Sequence, residues 1–169
     1  DVPGEAHGFL PSPEWKEQTH HVPWLGGDTM NLSIGQGWTL VTPLQIANIL
    51  AMIVNDGVIY RPHLLKEVRD AETGKVVSKV KPEVLHRSYI RPETFSYVRQ
   101  AMRRVITDGT AMYVITSQAV EAAGKTGTGQ ISSEDSYHSW FTAFAPYDPE
   151  NPEDRIETQL TVGHPPGTV

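Results

Sequence analysis

The stretch Ala122-Ala123-Gly124-Lys125-Thr126-Gly127-Thr128 decides how the chain is read. Its Gly-Lys-Thr triplet superficially matches the end of a phosphate-binding loop. That loop also needs a glycine where the chain has Ala119, and a flexible cradle where it has Val120, Glu121, Ala122 and Ala123. A nucleotide site is therefore set aside. The same residues read well as a strand, with positions 125, 127 and 129 on one side and 126 and 128 on the other. Strand twist still lets a lysine and the neighbouring hydroxyls border one cleft.

Glu121 to Thr128 is the first of three candidate strands; Ser136 to Ala145 and Ile156 to Val162 are the others, the latter pair separated by the acidic, proline-containing turn Pro146 to Asp154. Short connections between successive strands predict an antiparallel sheet. Upstream, Thr42-Pro43-Leu44-Gln45 is a helix start: Thr42 can cap, Pro43 needs no N–H partner, and Gln45 can close a capping box. This helix should run to about Val54 or Asn55, with Leu44, Ala47, Leu50 and Val54 on one face and Ile46, Ile49 and Ile53 widening it. A stripe that broad predicts burial on more than one side. Asp56-Gly57 ends it and Val58 to Arg61 is a short strand stopped by Pro62. Leu64 to Val68 and Lys75 to Val80 flank a glycine-bearing turn and read as a peripheral hairpin. Pro92 to Asp108 is a second helix, with Phe95, Val98, Ala101, Met102, Val105 and Ile106 at helical spacing and Gly109 beyond its end. Thr110 to Thr116 reads as a short helical or turn segment. Residues 1–43, rich in Gly, Pro, Trp and His, read as a long irregular segment pinned by Phe9, Leu10, Trp15, Trp24 and Leu25. Gly35-Gln36-Gly37 offers a tight, close-approach backbone.

The pattern predicts an α+β fold, an antiparallel sheet with packed helices, built as one domain or part of one: an irregular segment over 1–43, helices and a peripheral hairpin over 44–120, and sheet strands over 121–162. Composition agrees, with 169 residues, 38% hydrophobic and 20% charged. A net charge of −6 argues against broad attraction to nucleic acid or anionic lipid. The absence of cysteine excludes disulfides, thiolate chemistry and cysteine-ligated zinc. The longest apolar run, Leu44 to Ile59, is broken by Gln45, Asn48, Asn55, Asp56 and Gly57 and does not read as a membrane span. His20-His21 with Glu14 or Asp28 follows no ligand spacing, so no metal or cofactor is expected.

Lys-Thr-Gly-Thr is a signature of serine acyl-transfer enzymes acting on D-alanyl peptides or β-lactams. Lys125 supplies positive potential next to an anionic peptide terminus, Thr126 and Thr128 supply hydroxyls for a carboxylate, and Gly127 removes a side chain where substrate lies along the strand. The N–H of Thr128 could complete an oxyanion hole with that of a nucleophilic serine. Taken alone, four residues also describe an ordinary polar edge strand.

Further stretches narrow the reading. Val2-Pro3-Gly4-Glu5, Leu10-Pro11-Ser12-Pro13-Glu14-Trp15, Leu32-Ser33-Ile34-Gly35-Gln36-Gly37, Val41-Thr42-Pro43-Leu44-Gln45, Asn55-Asp56-Gly57, Arg61-Pro62-His63-Leu64, Gly109-Thr110-Ala111, the Lys125 motif and His138-Ser139-Trp140-Phe141 occur in this order. Together they resemble the elongation-type class B penicillin-binding proteins of the penicillin-binding protein 2 family, over nearly the whole chain. The resemblance implies the downstream part of a penicillin-binding, serine β-lactamase-like transpeptidase fold, with Lys125 to Thr128 lining the active-site cleft and His138 to Ala145 on the next strand. Trp38, His138 and Trp140 are possible cleft-margin residues; Trp38 could equally be core packing, and His138 reads as a strand residue rather than a general base.

The family's Ser-x-x-Lys and Ser-x-Asn motifs do not occur in a position that fits. Ser96 is followed by Tyr97-Val98-Arg99, Ser88 by Tyr89-Ile90-Arg91, and Ser33 by Ile34-Gly35. The expectation is truncation: the nucleophile absent from the chain, this stretch inactive alone, and the upstream half of the domain its necessary partner. The resemblance further implies peptidoglycan stem peptides and β-lactam antibiotics as ligands. It implies a membrane glycosyltransferase of the RodA type and elongation-complex scaffold proteins as partners, and a place on the extracytoplasmic face of the bacterial cytoplasmic membrane, held by an upstream anchor. A non-catalytic peptide-binding or structural module, and a D,D-carboxypeptidase or β-lactamase-like hydrolase, remain the alternatives.

Overall fold

The computed structural model of the chain describes residues 4–115, 120–130 and 137–149. Two short helices occupy the segment expected to be irregular: α1, Pro13–His20, and α2, Gly26–Ser33. Both are made by local capping rather than by an apolar stripe. Ser12 Oγ accepts from the N–H of Trp15 at 3.2 Å with Pro13 at the first helical position, and Asp28 Oδ2 accepts from the N–H of Leu25 at 2.7 Å. The polar composition of the segment hides these helices from a periodicity test. Its two ends meet, because Phe9 and Leu40 form an antiparallel bridge with N–H to carbonyl distances of 2.7 and 2.9 Å.

Helix α3, Pro43–Val54, starts as expected, with Gln45 N–H donating to Thr42 Oγ1 at 3.1 Å and Thr42 N–H donating to Gln45 Oε1 at 2.9 Å. It stops where Asp56 and Gly57 take left-handed backbone, at φ of 50° and 90°. Strand β1, Val58–Tyr60, follows and pairs antiparallel with β4, Val84–Arg87, a strand not anticipated. The expected hairpin is β2, Glu67–Arg69, paired with β3, Val76–Lys79. Helix α4, Pro92–Thr107, is followed by turns as far as residue 114, and β5, Ala123–Gln130, pairs antiparallel with β6, Tyr137–Phe144. The expected strand at Ile156 to Val162 lies outside the described residues. Among the described residues no helix is long and apolar enough to cross a membrane.

Helices α3 and α4 lie on one face of the β5–β6 pair. Leu50, Val54, Met102, Ala123 and Phe144 form the core between them, with Ile53, Val98 and Tyr147 packed against it. Each large side chain fully buried there contributes about 1.5–3 kcal/mol. Arg99 of α4 is also buried; its Nη1 donates to the Ile53 carbonyl at 2.7 Å and to Asp56 Oδ1 at 2.6 Å, closing the end of α3. Arg103 Nη1 donates to the Ala122 carbonyl at 2.8 Å, tying α4 to the start of β5.

The broad apolar stripe of α3 is not buried on every side. Ile46, Ile49 and Ile53 instead line a groove of about 470 Å³ between α3 and α4, with Tyr97, Ala101 and Val105 opposite, and Ile49 is 50% exposed. Lys125 and Thr142 stand at its β-sheet end.

Candidate active site

The register of β5 against β6 places Lys125 opposite Thr142, Gly127 opposite Trp140 and Gly129 opposite His138. Directly paired residues share a face, so Lys125, Gly127 and Gly129 lie on the face that carries α3 and α4. Thr126 and Thr128 lie on the other face.

The edge of β5 brings the two sets back together. The carbonyls of Ala122, Thr126 and Thr128 accept bonds from side chains outside the ladder: Arg103, Lys125 and Gln36, respectively. The carbonyl of Lys125, of the opposite parity, instead faces Thr142 Oγ1 on β6 at 3.5 Å. In an antiparallel ladder a residue turns its N–H and C=O toward the same neighbour, so Thr126 and Thr128 present both groups on the edge away from β6. Lys125 Nζ bends round to the Thr126 carbonyl and sets its ammonium on that edge. The Thr126 hydroxyl shares a 3.0 Å hydrogen bond with that of Thr110, and a hydroxyl so engaged retains capacity for a further partner. Lys125, Gly127 and Thr128 are exposed. The edge thus gathers a cation and outward N–H groups, with the Thr126 and Thr128 side chains on the adjoining face, the set a peptide carboxylate and a developing oxyanion require.

The motif glycines differ in what they answer to. A Cβ on Gly124 would stand 2.7 Å from the Thr142 carbonyl oxygen and 2.8 Å from Phe141 Cζ, so strand packing demands glycine there. A Cβ on Gly127 would meet nothing closer than Trp140 Cβ at 3.5 Å, an ordinary contact. Among the described residues nothing requires Gly127.

Trp140 is half-buried across from Gly127, with the exposed His138 ring 6.4 Å away. Trp38 packs edge-on to Trp15 at 5.5 Å and stacks on His20 at 5.2 Å, in an aromatic group that joins α1 to the turn after α2. Of the serines weighed above, Ser96 precedes the buried Arg99 already committed to α3. Ser78-Lys79-Val80-Lys81 has the Ser-x-x-Lys spacing, a match the motif reading passed over. Ser78 sits on the exposed β3 ribbon and Lys81 lies beyond the end of that strand, so the pair is not set on one regular element. Among the described residues no cluster of three or more His, Asp or Glu could hold a metal ion.

Two contributors escaped sequence reasoning: Thr110, and Gln36, whose Nε2 donates to the Thr128 carbonyl at 3.0 Å. Gly-Gln-Gly marked a tight backbone there, but nothing local told of a partner at residue 128. On α1, Lys16 is buried, with Nζ 2.6 Å from Asp28 Oδ2, 3.1 Å from the Pro23 carbonyl and 5.3 Å from the Trp38 ring centre. The Lys16 hydrogen bond first, and the Leu25 N–H next, hold the Asp28 carboxyl below its ordinary value of 3.8. A carboxylate depressed in this way stabilises the fold above its unfolded value, and the contribution is lost as pH falls through the folded one. Tryptophan emission should therefore report loosening of this segment below about pH 4. Asp28→Asn should loosen it already at neutral pH and abolish the acid-dependent step; an identical acid transition in that variant would detach Asp28 from it.

A model of the penicillin binding protein transpeptidase domain matches residues 1–153. The chain belongs to that family. Within the transpeptidase family it is of the class B, elongation type, penicillin-binding protein 2. It is 33% identical over 179 residues to the peptidoglycan D,D-transpeptidase MrdA of Escherichia coli (strain K12), covering 96% of this chain and 28% of that protein. The crystal structure of Pseudomonas aeruginosa PBP2 in complex with WCK 5153 superposes with a TM-score of 0.68 at 36% identity, over 86% of this chain and 32% of that one. PBP2 of Helicobacter pylori, in a complex with MreC, gives a TM-score of 0.68 at 28% identity, over 86% of this chain and 26% of that one. These neighbours share the α+β transpeptidase fold of antiparallel sheet and packed helices. The chain spans less than a third of each of these proteins.

Proposed function

We propose that residues 1–169 form the substrate-recognising side of the active site of a peptidoglycan D,D-transpeptidase, an enzyme that cross-links stem peptides through a serine acyl-enzyme and is acylated by β-lactams. The observation that carries this reading is the β5 edge, where the Lys125 ammonium joins the outward backbone groups of Thr126 and Thr128 beside Gly127, whose absent side chain would meet nothing closer than 3.5 Å among the described residues. Stem peptide would bind in extended form along this edge, with its terminal carboxylate held by Lys125, Thr126 and Thr128.

The serine and its base would come from outside residues 1–169 of the same protein. Its oxygen attacks the penultimate D-Ala carbonyl and gives up its proton to the base, and the oxyanion forms beside the Thr128 N–H. Collapse breaks the amide and releases D-Ala, protonated by the same base. The amine of a second stem peptide then attacks the ester, forming the cross-link and restoring the serine. The MreC complex of the H. pylori protein supports an elongation-complex scaffold protein as a partner here; a RodA-type glycosyltransferase would be a further partner. The place of this work would be the extracytoplasmic face of the cytoplasmic membrane.

Incubating the full-length protein with a fluorescent penicillin tests the reading. A stoichiometric covalent adduct that survives denaturation is expected; its absence would reject the acyl-enzyme. Dimeric stem-peptide product, rather than hydrolysed monomer, separates transpeptidation from carboxypeptidase action.

A further inference from the structure

We infer that Gln36 is a positioning residue for the acylation step: its side-chain amide holds the Thr128 carbonyl and thereby sets the direction of the Thr128 N–H. The inference rests on the function proposed above.

The need for such a brace follows from the strand itself. Thr128 lies between Gly127 and Gly129, two residues whose backbone no side chain restrains. Cβ atoms at these glycines would find no neighbour closer than 3.5 and 3.7 Å, so packing does not restrain them either. The ladder to β6 holds only one edge of β5. On the other edge, the Thr128 peptide groups are free to rock about the strand axis unless something grips them.

Gln36 supplies that grip from a fixed point. Its own N–H donates to the Asn31 carbonyl at 2.9 Å, and Gly35 and Gly37 turn the backbone around it at φ of 74° and 80°. The Gly35 N–H donates to the Leu32 carbonyl at 3.0 Å, so the turn is continuous with α2, which the Lys16–Asp28 pair locks to α1. From that base Nε2 reaches the Thr128 carbonyl at 3.0 Å, across 92 residues of sequence. Among the described residues this is the one hydrogen bond from the α1–α2 segment to β5. Thr128 C=O and N–H lie on the same strand edge, so fixing the first restricts the second. An oxyanion donor works only when its direction is set before the charge develops.

The test uses the full-length protein and stopped-flow acylation by a fluorescent penicillin at a series of concentrations, which separates the acylation rate constant from the half-saturating concentration. Gln36→Met keeps the volume and removes the donor. The acylation rate constant should fall about tenfold, less than for loss of an oxyanion donor itself, while half-saturation and Tm stay as in the parent. Gln36→Lys restores an N–H donor of similar reach and should recover part of the rate. An unchanged rate constant in Gln36→Met, a loss that tracks a lowered Tm, or a Gln36→Lys variant as slow as Gln36→Met would each overturn the inference. Failure of the parent protein to form any adduct is a different result, since it removes the proposed function itself.

Discussion

Replacing Lys125 by alanine in the full-length protein should lower the acylation rate by about 10²-fold, equivalent to about 2.7 kcal/mol of transition-state stabilisation. The ammonium reaches the β5 edge through its bond to the Thr126 carbonyl, on the side where Thr126 and Thr128 turn their N–H groups outward. In the proposed reaction a charge fixed there would attract the peptide carboxylate and offset the negative charge forming at the carbonyl under attack. Alanine removes both effects and leaves the strand intact, because Lys125 is exposed at the sheet end of the α3–α4 groove and not part of the core. Tm should therefore stay near that of the parent while acylation collapses. Lys125→Arg should recover only part of the rate, since a planar guanidinium cannot reproduce the compact ammonium contact. Parent-like acylation by the alanine variant would take Lys125 out of the mechanism.

Gly124→Ala and Gly127→Ala should fail in opposite ways, although they are three residues apart in one strand. At Gly124 the new methyl would meet the Thr142 carbonyl oxygen at 2.7 Å and Ala143 Cβ at 3.0 Å, atoms of the neighbouring strand that cannot swing away. Overpacking of this kind costs about 1–3 kcal/mol, read as a lowered Tm. At Gly127 the methyl meets only Trp140 Cβ at 3.5 Å, so thermal stability should hold within about 1 kcal/mol. The methyl would, however, stand where an extended peptide has to lie along the strand, and acylation should slow by about tenfold or more. A Gly127→Ala enzyme with unchanged acylation kinetics would show that the edge is not where substrate runs.

The parts of this fold that were legible in the sequence are those decided within a few residues. Thr42-Pro43 with Gln45 announces the start of α3, Asp56-Gly57 announces its end, and the spacing of Phe95, Met102 and Ile106 announces α4 and its buried side. The alternation around Lys125 likewise predicts the two faces of β5. Strand β4 was missed because Val84–Arg87 becomes a strand only by pairing with β1, more than twenty residues upstream. Helices α1 and α2 were missed because they hold through caps; the Ser12-Pro13 start was visible but carried no apolar stripe to support it. The width of the α3 stripe was read correctly and its burial was not, since Ile46, Ile49 and Ile53 face the open groove. At the proposed site, residue types pointed to Lys125 to Thr128, whereas Gln36 and Thr110 reach β5 through contacts spanning 92 and 16 residues, which no local pattern encodes.

The bridge between Phe9 and Leu40 makes everything between them an excursion that leaves the body and returns at a single neck. Loops tied off in this manner can change at their exposed tips with a closure cost that grows only logarithmically, although here Gln36 carries a second tie, to β5. The joint at residues 21–25 carries the Pro23 carbonyl that Lys16 grips and the Leu25 N–H that caps α2, so variation between related enzymes should collect in the exposed side chains of α1 and α2, while that joint, the turn bearing Gln36 and the two bridged residues stay constant in spacing. Such an arrangement allows the outer surface to be re-tailored for different neighbours without moving β5.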